Sequence, residues 1–471
     1  MINKTKIVAT IGPSTSSKEM LRKIIARGVN VCRINFSHSS HEQAKQTINN
    51  IKEVNKELHA HTAILADLQG PKIRVGEFKN PITIKKGSSV YFNTRKNKSK
   101  DIHVSYARFA KDVKKGDRVL LDDGKISLRV EETNKKNRVK LTVVFGGKLT
   151  SNKGINLPNT HTSLPCLTRK DKNDLTFILK EKIEWIGLSF VRCAKDVQIL
   201  KRIIKKEKSK ALIVAKIEKS EAITDIDNII SATDAIMVAR GDLGVEVPLH
   251  KVPVYQKMIV HKCIKKSKPV VIATQMLESM TDNIFATRAE VNDVANSVID
   301  GADAMMLSGE TSVGRHPLRA VDTMRKVIKD VEKSRHNISK NSPQRKLEVN
   351  ERYISNAICA NACAISDEVK ARAIITATYS GYNTIKTSSY RPAAYIYAFT
   401  NNHTILNTLS LVWGVQGFHY TGGRTTDQTV LETKDILKKL KYVRKGDMVL
   451  NIASMPAKER GMTNMMKLSK V

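Results

Sequence analysis

The sequence predicts a (β/α)8 barrel that carries an inserted all-β domain and is followed by a C-terminal α/β domain. Three observations lead there. Eight short β-branched runs each precede an amphipathic stretch, the pattern of βα units on a parallel sheet. The interval between the third and fourth runs is too long for a loop and alternates strand-like segments with turn residues. After the eighth unit, a stretch of linker composition leads into renewed αβ alternation.

The predicted barrel runs are residues 6–11, 29–36, 62–68, 185–190, 212–218, 235–240, 270–274 and 304–308. Each is short, apolar and bounded by polar residues, as strands buried on both faces must be. Within the insert, Val119-Leu120-Leu121, the turn Asp122-Asp123-Gly124 and the alternating Ile126-Ser127-Leu128-Arg129-Val130 read as a hairpin. The expected boundaries are a barrel over 1–70 and 166–340, a β lid over 71–165, and a doubly wound domain over 341–471. The linker is Lys333 to Lys346, and residues 373–377 and 394–398 are strand candidates of the last domain.

Composition narrows the function classes. The 471 residues suit about three domains. With 81 Lys and Arg against 45 Asp and Glu, the net charge is +36, which raises a polyanion partner or anionic small substrates. Lysine is spread over nearly every segment and aromatics make up only 5%, so the charge reads as solvated faces rather than a nucleic-acid surface. Six scattered cysteines without a Cys-x-x-Cys pair exclude a disulfide framework and a zinc ribbon and suit a reducing cytoplasm. Cys359 and Cys363, at i and i+4 among alanines, read as helix core. The N-terminus lacks a signal-peptide pattern and no apolar run approaches the ~18 residues of a membrane span, so a soluble internal protein is expected.

In such a barrel the reacting groups sit at the C-terminal ends of strands. The second run ends on Arg33-Ile34-Asn35-Phe36-Ser37-His38 and the third on Asp67. The fifth ends on Lys216-Ile217-Glu218, the sixth on Arg240-Gly241-Asp242, the seventh on Thr274-Gln275 and the eighth on Ser308-Gly309-Glu310-Thr311. Glu218 and Asp242 are hard oxygen ligands on adjacent strands, suited to Mg²⁺ when substrate and water complete its shell. Lys216 shares a strand face with Glu218, so its ammonium would neutralise a transferring phosphoryl group or an enolate beside that ion. The glycines of Ala239-Arg240-Gly241-Asp242-Leu243-Gly244 suit a loop that brings backbone amides to an anion ahead of a helix. Arg33, Arg74 and His38 are candidate phosphate contacts, and the Thr274 hydroxyl could pass a proton. Neither a Walker A sequence nor Gly-x-Gly-x-x-Gly is present.

With these residues in view, the chain resembles the pyruvate kinases. The motifs are Ala-Thr-Ile-Gly-Pro-Ser at 9–14, Arg-Ile-Asn-Phe-Ser-His at 33–38, Met-Val-Ala-Arg-Gly-Asp-Leu-Gly at 237–244, Ala-Thr-Gln-Met-Leu-Glu-Ser-Met at 273–280 and Met-Leu-Ser-Gly-Glu-Thr at 306–311. The resemblance implies phosphoryl transfer from phosphoenolpyruvate to ADP, then protonation of the enolpyruvate, by a cytoplasmic homotetramer. It implies that Lys216 stabilises the phosphoryl group and enolate and that Glu218 and Asp242 hold Mg²⁺ or Mn²⁺. Ala239, Arg240 and Gly241 would receive the substrate carboxylate, with Asp242 beside them. Thr274 would lie on the proton route and Arg33 would hold the phosphate. Asn35, Ser37, Asp67 and the Leu68 carbonyl match a monovalent-cation site, while Asn35, His38 and Arg74 would face the nucleotide.

Two positions depart from the common pattern. Many members carry Glu where this chain has Lys72, whose ammonium lies within reach of the Asp67 corner in the sequence reading and would stand in for K⁺. The segment Thr378-Tyr379-Ser380-Gly381-Tyr382-Asn383-Thr384 keeps only part of a Ser/Thr-rich sugar-phosphate loop, so the effector is left open. Two other classes stay in view: a metal-dependent barrel lyase acting on a 2-keto acid, which needs no lid, and a basic nucleic-acid-binding protein, motivated by charge alone.

Overall fold

The computed structural model describes residues 3–95, 101–158, 160–334, 351–423, 425–455 and 462–471. Eight parallel strands close into a barrel: Lys6–Ile11, Val31–Asn35, Ala63–Asp67, Trp185–Leu188, Leu212–Ile217, Ala235–Ala239, Val270–Ala273 and Ala304–Leu307. They neighbour one another in chain order, and the first pairs with the last. Most strands are shorter than the runs that predict them. The polar residues Glu218, Arg240, Thr274 and Ser308 therefore lie just past a strand end, where ladder hydrogen bonding has stopped and a side chain is free to turn into the mouth.

Alternation along the strands splits the apolar residues into two cores. Val8, Val31, Leu65, Val214, Met237, Val271 and Met306 fill the barrel interior, while Ile7, Ile34, Ile64, Ile213, Ile236 and Ile272 face the surrounding helices. Three of those helices begin with a reciprocal capping box: Ser40 with Gln43, Thr168 with Asp171, and Thr287 with Glu290.

The insert forms a seven-stranded sheet with its own core, including Phe92, Phe109, Leu128 and Leu141, plus a two-stranded ribbon of Ile82–Ile84 with Gly147–Leu149. The expected hairpin is present: Arg118–Leu121 pairs antiparallel with Ile126–Thr133, and Asp122, Asp123 and Gly124 all adopt positive φ. The chain leaves the barrel through Gly70, whose φ of +70° and close approach to Ser189 and Phe190 leave no space for a Cβ. Its amide bonds Oδ1 of Asp171 at 3.0 Å, so one helix-capping aspartate also anchors the hinge.

The C-terminal sheet runs Val415–His419, Tyr395–Thr400, Ala373–Ala377, Met448–Ala453 and Met465–Lys470, with only the last strand antiparallel. Its order reverses beside Ala373–Ala377, the first of its strands in the chain, as in doubly wound folds. It docks on the N-terminal face of the barrel, where Leu411 enters the interior core and the buried Arg391–Asp303 pair closes at 2.9 Å. Cys359 and Cys363 are buried on the helix Tyr353–Glu368, as expected of core residues. Most of the expected linker, residues 335–346, lies outside the described residues. No helix among the described residues is long and apolar enough to cross a membrane.

Candidate active site

The strand ends converge on a cleft of about 290 Å³ lined by Arg33, Asn35, Lys216, Glu218, Asp242 and Thr274, with Thr10 level with Arg33 on the neighbouring strand. Its centre is a buried charge cluster. Lys216 Nζ stands 3.1 Å from Oδ1 of Asp67 and 3.0 Å from Oε1 of Glu218, and donates to Ser189 Oγ at 2.7 Å. Arg33 Nε donates to Oδ2 of Asp67 at 2.7 Å, and its Nη1 to Thr10 Oγ1 at 3.0 Å. Register explains the pairing. Asp67 lies level with Asn35 on one side and Gly187 on the other, and a Cβ at Gly187 would come within 2.8 Å of Oδ1 of Asp67.

Burial disfavours every charge here, and the neighbours decide the outcome. Burial works to raise Asp67, but Lys216 and Arg33 outweigh it and hold the carboxyl below its usual range. Burial likewise opposes the Lys216 ammonium, yet Asp67 and Glu218 keep it protonated above the ordinary lysine value. Glu218 is pushed up, first by burial and then by the charges of Asp242 and Asp67, against the pull of Lys216. Two cations are thereby fixed at the centre of the cleft, where they favour an anion.

The expected monovalent-cation residues are brought together, with the oxygens of Asn35, Asp67 and Leu68 already engaged. Asn35 Oδ1 accepts the Ser37 amide at 3.1 Å, the Leu68 carbonyl accepts Ser189 Oγ at 2.7 Å, and Asp67 is spanned by Arg33 and Lys216. Lys72 does not join this corner. The tight turn that bonds its amide to the Gly70 carbonyl lays its stem over Gly154 and carries the ammonium to 3.5 Å from Oδ1 of Asp242. His38 is exposed on the turn after the second strand, and Arg74 lies in the insert, donating to the Asn152 carbonyl at 2.9 Å.

The glycine-bearing segment after the sixth strand is helical rather than a loop. Arg240–Glu246 begins directly after Ala239, and the Arg240 guanidinium turns away to bond Asp293 at 2.7 Å and the carbonyls of Thr274 and Gln275 at 2.8 and 3.1 Å. It braces the turn in which Thr274 and Gln275 hold φ of 68° and 53°, a costly conformation for β-branched threonine. Thr274 Oγ1 accepts the Gly241 amide at 2.7 Å and donates to the Ala273 carbonyl. At the eighth strand end, Glu310 is structural, taking the amides of Leu277 and Ser308.

The donor set fits a divalent cation. Glu218 is buried while Asp242 keeps 26% of its side chain exposed to the cleft, and burial first, then the charges of Asp242 and Asp67, raise Glu218. Two carboxylates with open positions suit Mg²⁺, which retains water and substrate oxygens; no cluster of three or more ligating side chains exists among the described residues. Ser189 and Thr10, which accept hydrogen bonds from Lys216 and Arg33, are neutral positions that a reading of strand ends for charge passes over. The signal was available, because Ser189 follows the fourth strand as Glu218 follows the fifth.

Comparison with known proteins agrees with this fold. The family model for the pyruvate kinase barrel domain matches residues 2–321, and that for the pyruvate kinase alpha/beta domain matches residues 356–469. A curated pyruvate kinase of Staphylococcus epidermidis is 41% identical over 99% of this chain and 80% of its own length, and one of Staphylococcus aureus is 40% identical over the same shares. A crystal structure of a pyruvate kinase from Cryptosporidium parvum superposes with a TM-score of 0.92 at 35% identity, covering 99% of this chain and 96% of that one. Similarity of this extent favours neither the lyase nor the nucleic-acid reading. The chain belongs to the pyruvate kinase family.

Proposed function

We propose the following division of labour for the family's reaction, phosphoryl transfer from phosphoenolpyruvate to ADP. Arg33, oriented by Asp67 and Thr10, binds the phosphate, and Lys216 opposes the charge that grows on the transferring phosphoryl group and then on the enolate oxygen. Glu218 and Asp242 hold the divalent cation, Mg²⁺ or Mn²⁺, which when bound neutralises phosphate and enolate charge. The segment Ala239, Arg240 and Gly241 receives the substrate carboxylate on its main chain, since the Arg240 side chain points elsewhere. Thr274 stands on the proton route to the enol carbon. Asn35, His38 and Arg74 face the nucleotide, and residues 71–165 cover the cleft.

The observation that carries this reading is Lys216 held between Asp67, Glu218 and Ser189 at the centre of the cleft. We further read the Asn35, Ser37, Asp67 and Leu68 corner as one that does not require K⁺. Two cations, Arg33 and Lys216, already serve Asp67 at that corner, and a monovalent ion there would meet their repulsion. The working form is a homotetramer in the cytoplasm. A coupled assay of pyruvate formation from phosphoenolpyruvate and ADP with Mg²⁺ tests the reading; absence of turnover in folded protein would overturn it.

A further inference from the structure

The helix Arg240–Glu246 ends on a carboxylate that no step above uses. Glu246 is 5% exposed and engages both oxygens: Oε2 takes Nζ of Lys219 at 2.8 Å and Oε1 takes Nδ2 of Asn156 at 2.9 Å. Lys219 and Asn156 are buried as well. A buried ion pair is costly to assemble and costlier to break on one side, so such a group holds its three elements in one arrangement.

Those elements are the ones that matter. Lys219 directly follows Glu218. Glu246 closes the helix whose third residue is Asp242. Asn156 ends the strand Gly154–Asn156 at the base of the insert, which pairs with both Ile73–Arg74 and Arg118–Leu121. A further crossing between barrel and insert rests on the same helix, through Lys72 and Asp242 at 3.5 Å.

We propose that Glu246 is a positioning residue: through Lys219 it fixes the spacing of the Glu218 and Asp242 carboxylates, and through Asn156 it makes that spacing depend on where the insert sits. The proposal rests on the reading that Glu218 and Asp242 hold the divalent cation. Swinging the insert away breaks the buried Asn156–Glu246 bond and loosens the helix that carries Asp242. Occupancy of the cation site and order at the base of the insert are therefore linked in both directions.

The test is Mn²⁺ binding to the full chain without substrates, followed by electron paramagnetic resonance, with hydrogen exchange of the strand Gly154–Asn156 as second readout. Glu246→Gln and Lys219→Met should each weaken Mn²⁺ binding about tenfold, the size of effect expected for groups that orient metal ligands. The double variant should lose no more than either single one, and Lys219→Arg should restore binding. Mn²⁺ should slow exchange in the Gly154–Asn156 strand of the unaltered chain and lose that effect in Asn156→Ala. Should Glu246→Gln fail to fold, Lys219→Met against Lys219→Arg carries the same comparison. Unaltered Mn²⁺ affinity in folded Glu246→Gln or Lys219→Met would overturn the proposal, provided Asp242→Asn weakens binding; unaltered affinity in Asp242→Asn would instead overturn the cation assignment beneath it.

Discussion

Ser189 Oγ receives a hydrogen bond from Lys216 Nζ at 2.7 Å and donates its own to the Leu68 carbonyl at 2.7 Å. It thus aims the ammonium without adding charge. Ser189→Ala should leave Lys216 protonated, because Asp67 and Glu218 remain, but free to tilt. Loss of one such bond, ~1 kcal/mol or slightly more, corresponds to a kcat about tenfold lower. Steady-state kinetics should show this with KM for phosphoenolpyruvate little changed, and an unchanged kcat would show that the hydroxyl does not orient the lysine.

Lys216→Met removes the charge itself. The opposing negative charge is largest in the transition state, so kcat should fall by at least ~10²-fold with substrate affinity nearly preserved. The variant should also unfold at lower temperature, because Glu218 is left buried beside Asp67 and Asp242 without its cation. Retention of more than about a tenth of the original kcat would assign the chemistry to another residue.

Asp242→Asn keeps the shape of the side chain and removes one of two anionic ligands. The Mg²⁺ concentration for half-maximal activity should rise strongly while circular dichroism and melting stay near those of the parent. An unchanged Mg²⁺ dependence would place the cation elsewhere.

At constant ionic strength, KCl should not stimulate activity measured in K⁺-free and Na⁺-free buffer. Lys72→Glu should acquire dependence on K⁺, since it removes a tethered cation from the cleft rim and adds an anion. Strong K⁺ activation of the unaltered chain would refute the assignment.

Lys6 is 3% exposed at the start of the first strand and donates to the Val415 carbonyl at 2.6 Å. Burial pulls its pKa down from 10.5 to about 8, against the nearby charges of Glu332 and Asp303. Between those two values the unfolded chain holds a proton that the folded chain does not, so this group adds stability as pH rises from about 8 to 10.5 and adds none below 8. The shift corresponds to ~3 kcal/mol. Urea unfolding of Lys6→Met beside the parent should show the difference in stability changing over that window; parallel pH profiles would contradict it.

Much of the molecule was legible in local pattern. The first barrel strand matches its predicted run residue for residue, and the others differ only at their ends, because a continuous β-branched run between polar residues has few alternatives to a doubly buried strand. The hairpin at Asp122-Asp123-Gly124 follows from turn chemistry, and the polar strand-end residues Lys216, Glu218, Asp242 and Arg33 do line one cleft. Ser189 lies just past its strand end as Glu218 does, but a reading for charged groups passes over a neutral hydroxyl, and the helical start at Arg240 was missed because glycines at 241 and 244 suit a loop equally well.

The sequence alone thus determined which segments are strands and that two carboxylates and a lysine sit at neighbouring C-terminal strand ends. Only the tertiary structure decided the partners. Asp67 joins Arg33 to Lys216 because strand register sets it level with Asn35 and Gly187; Lys72 goes to Asp242 because the turn at Gly70 aims it there; Arg240 turns outward to brace Thr274; and Glu246 meets Asn156 across 90 residues of chain. The physical reason is one of range. Strand formation and side-chain alternation depend on a few neighbouring residues, whereas a buried charge takes whichever counter-charge the packed backbone brings within hydrogen-bond distance, and that distance exists only after the barrel has closed.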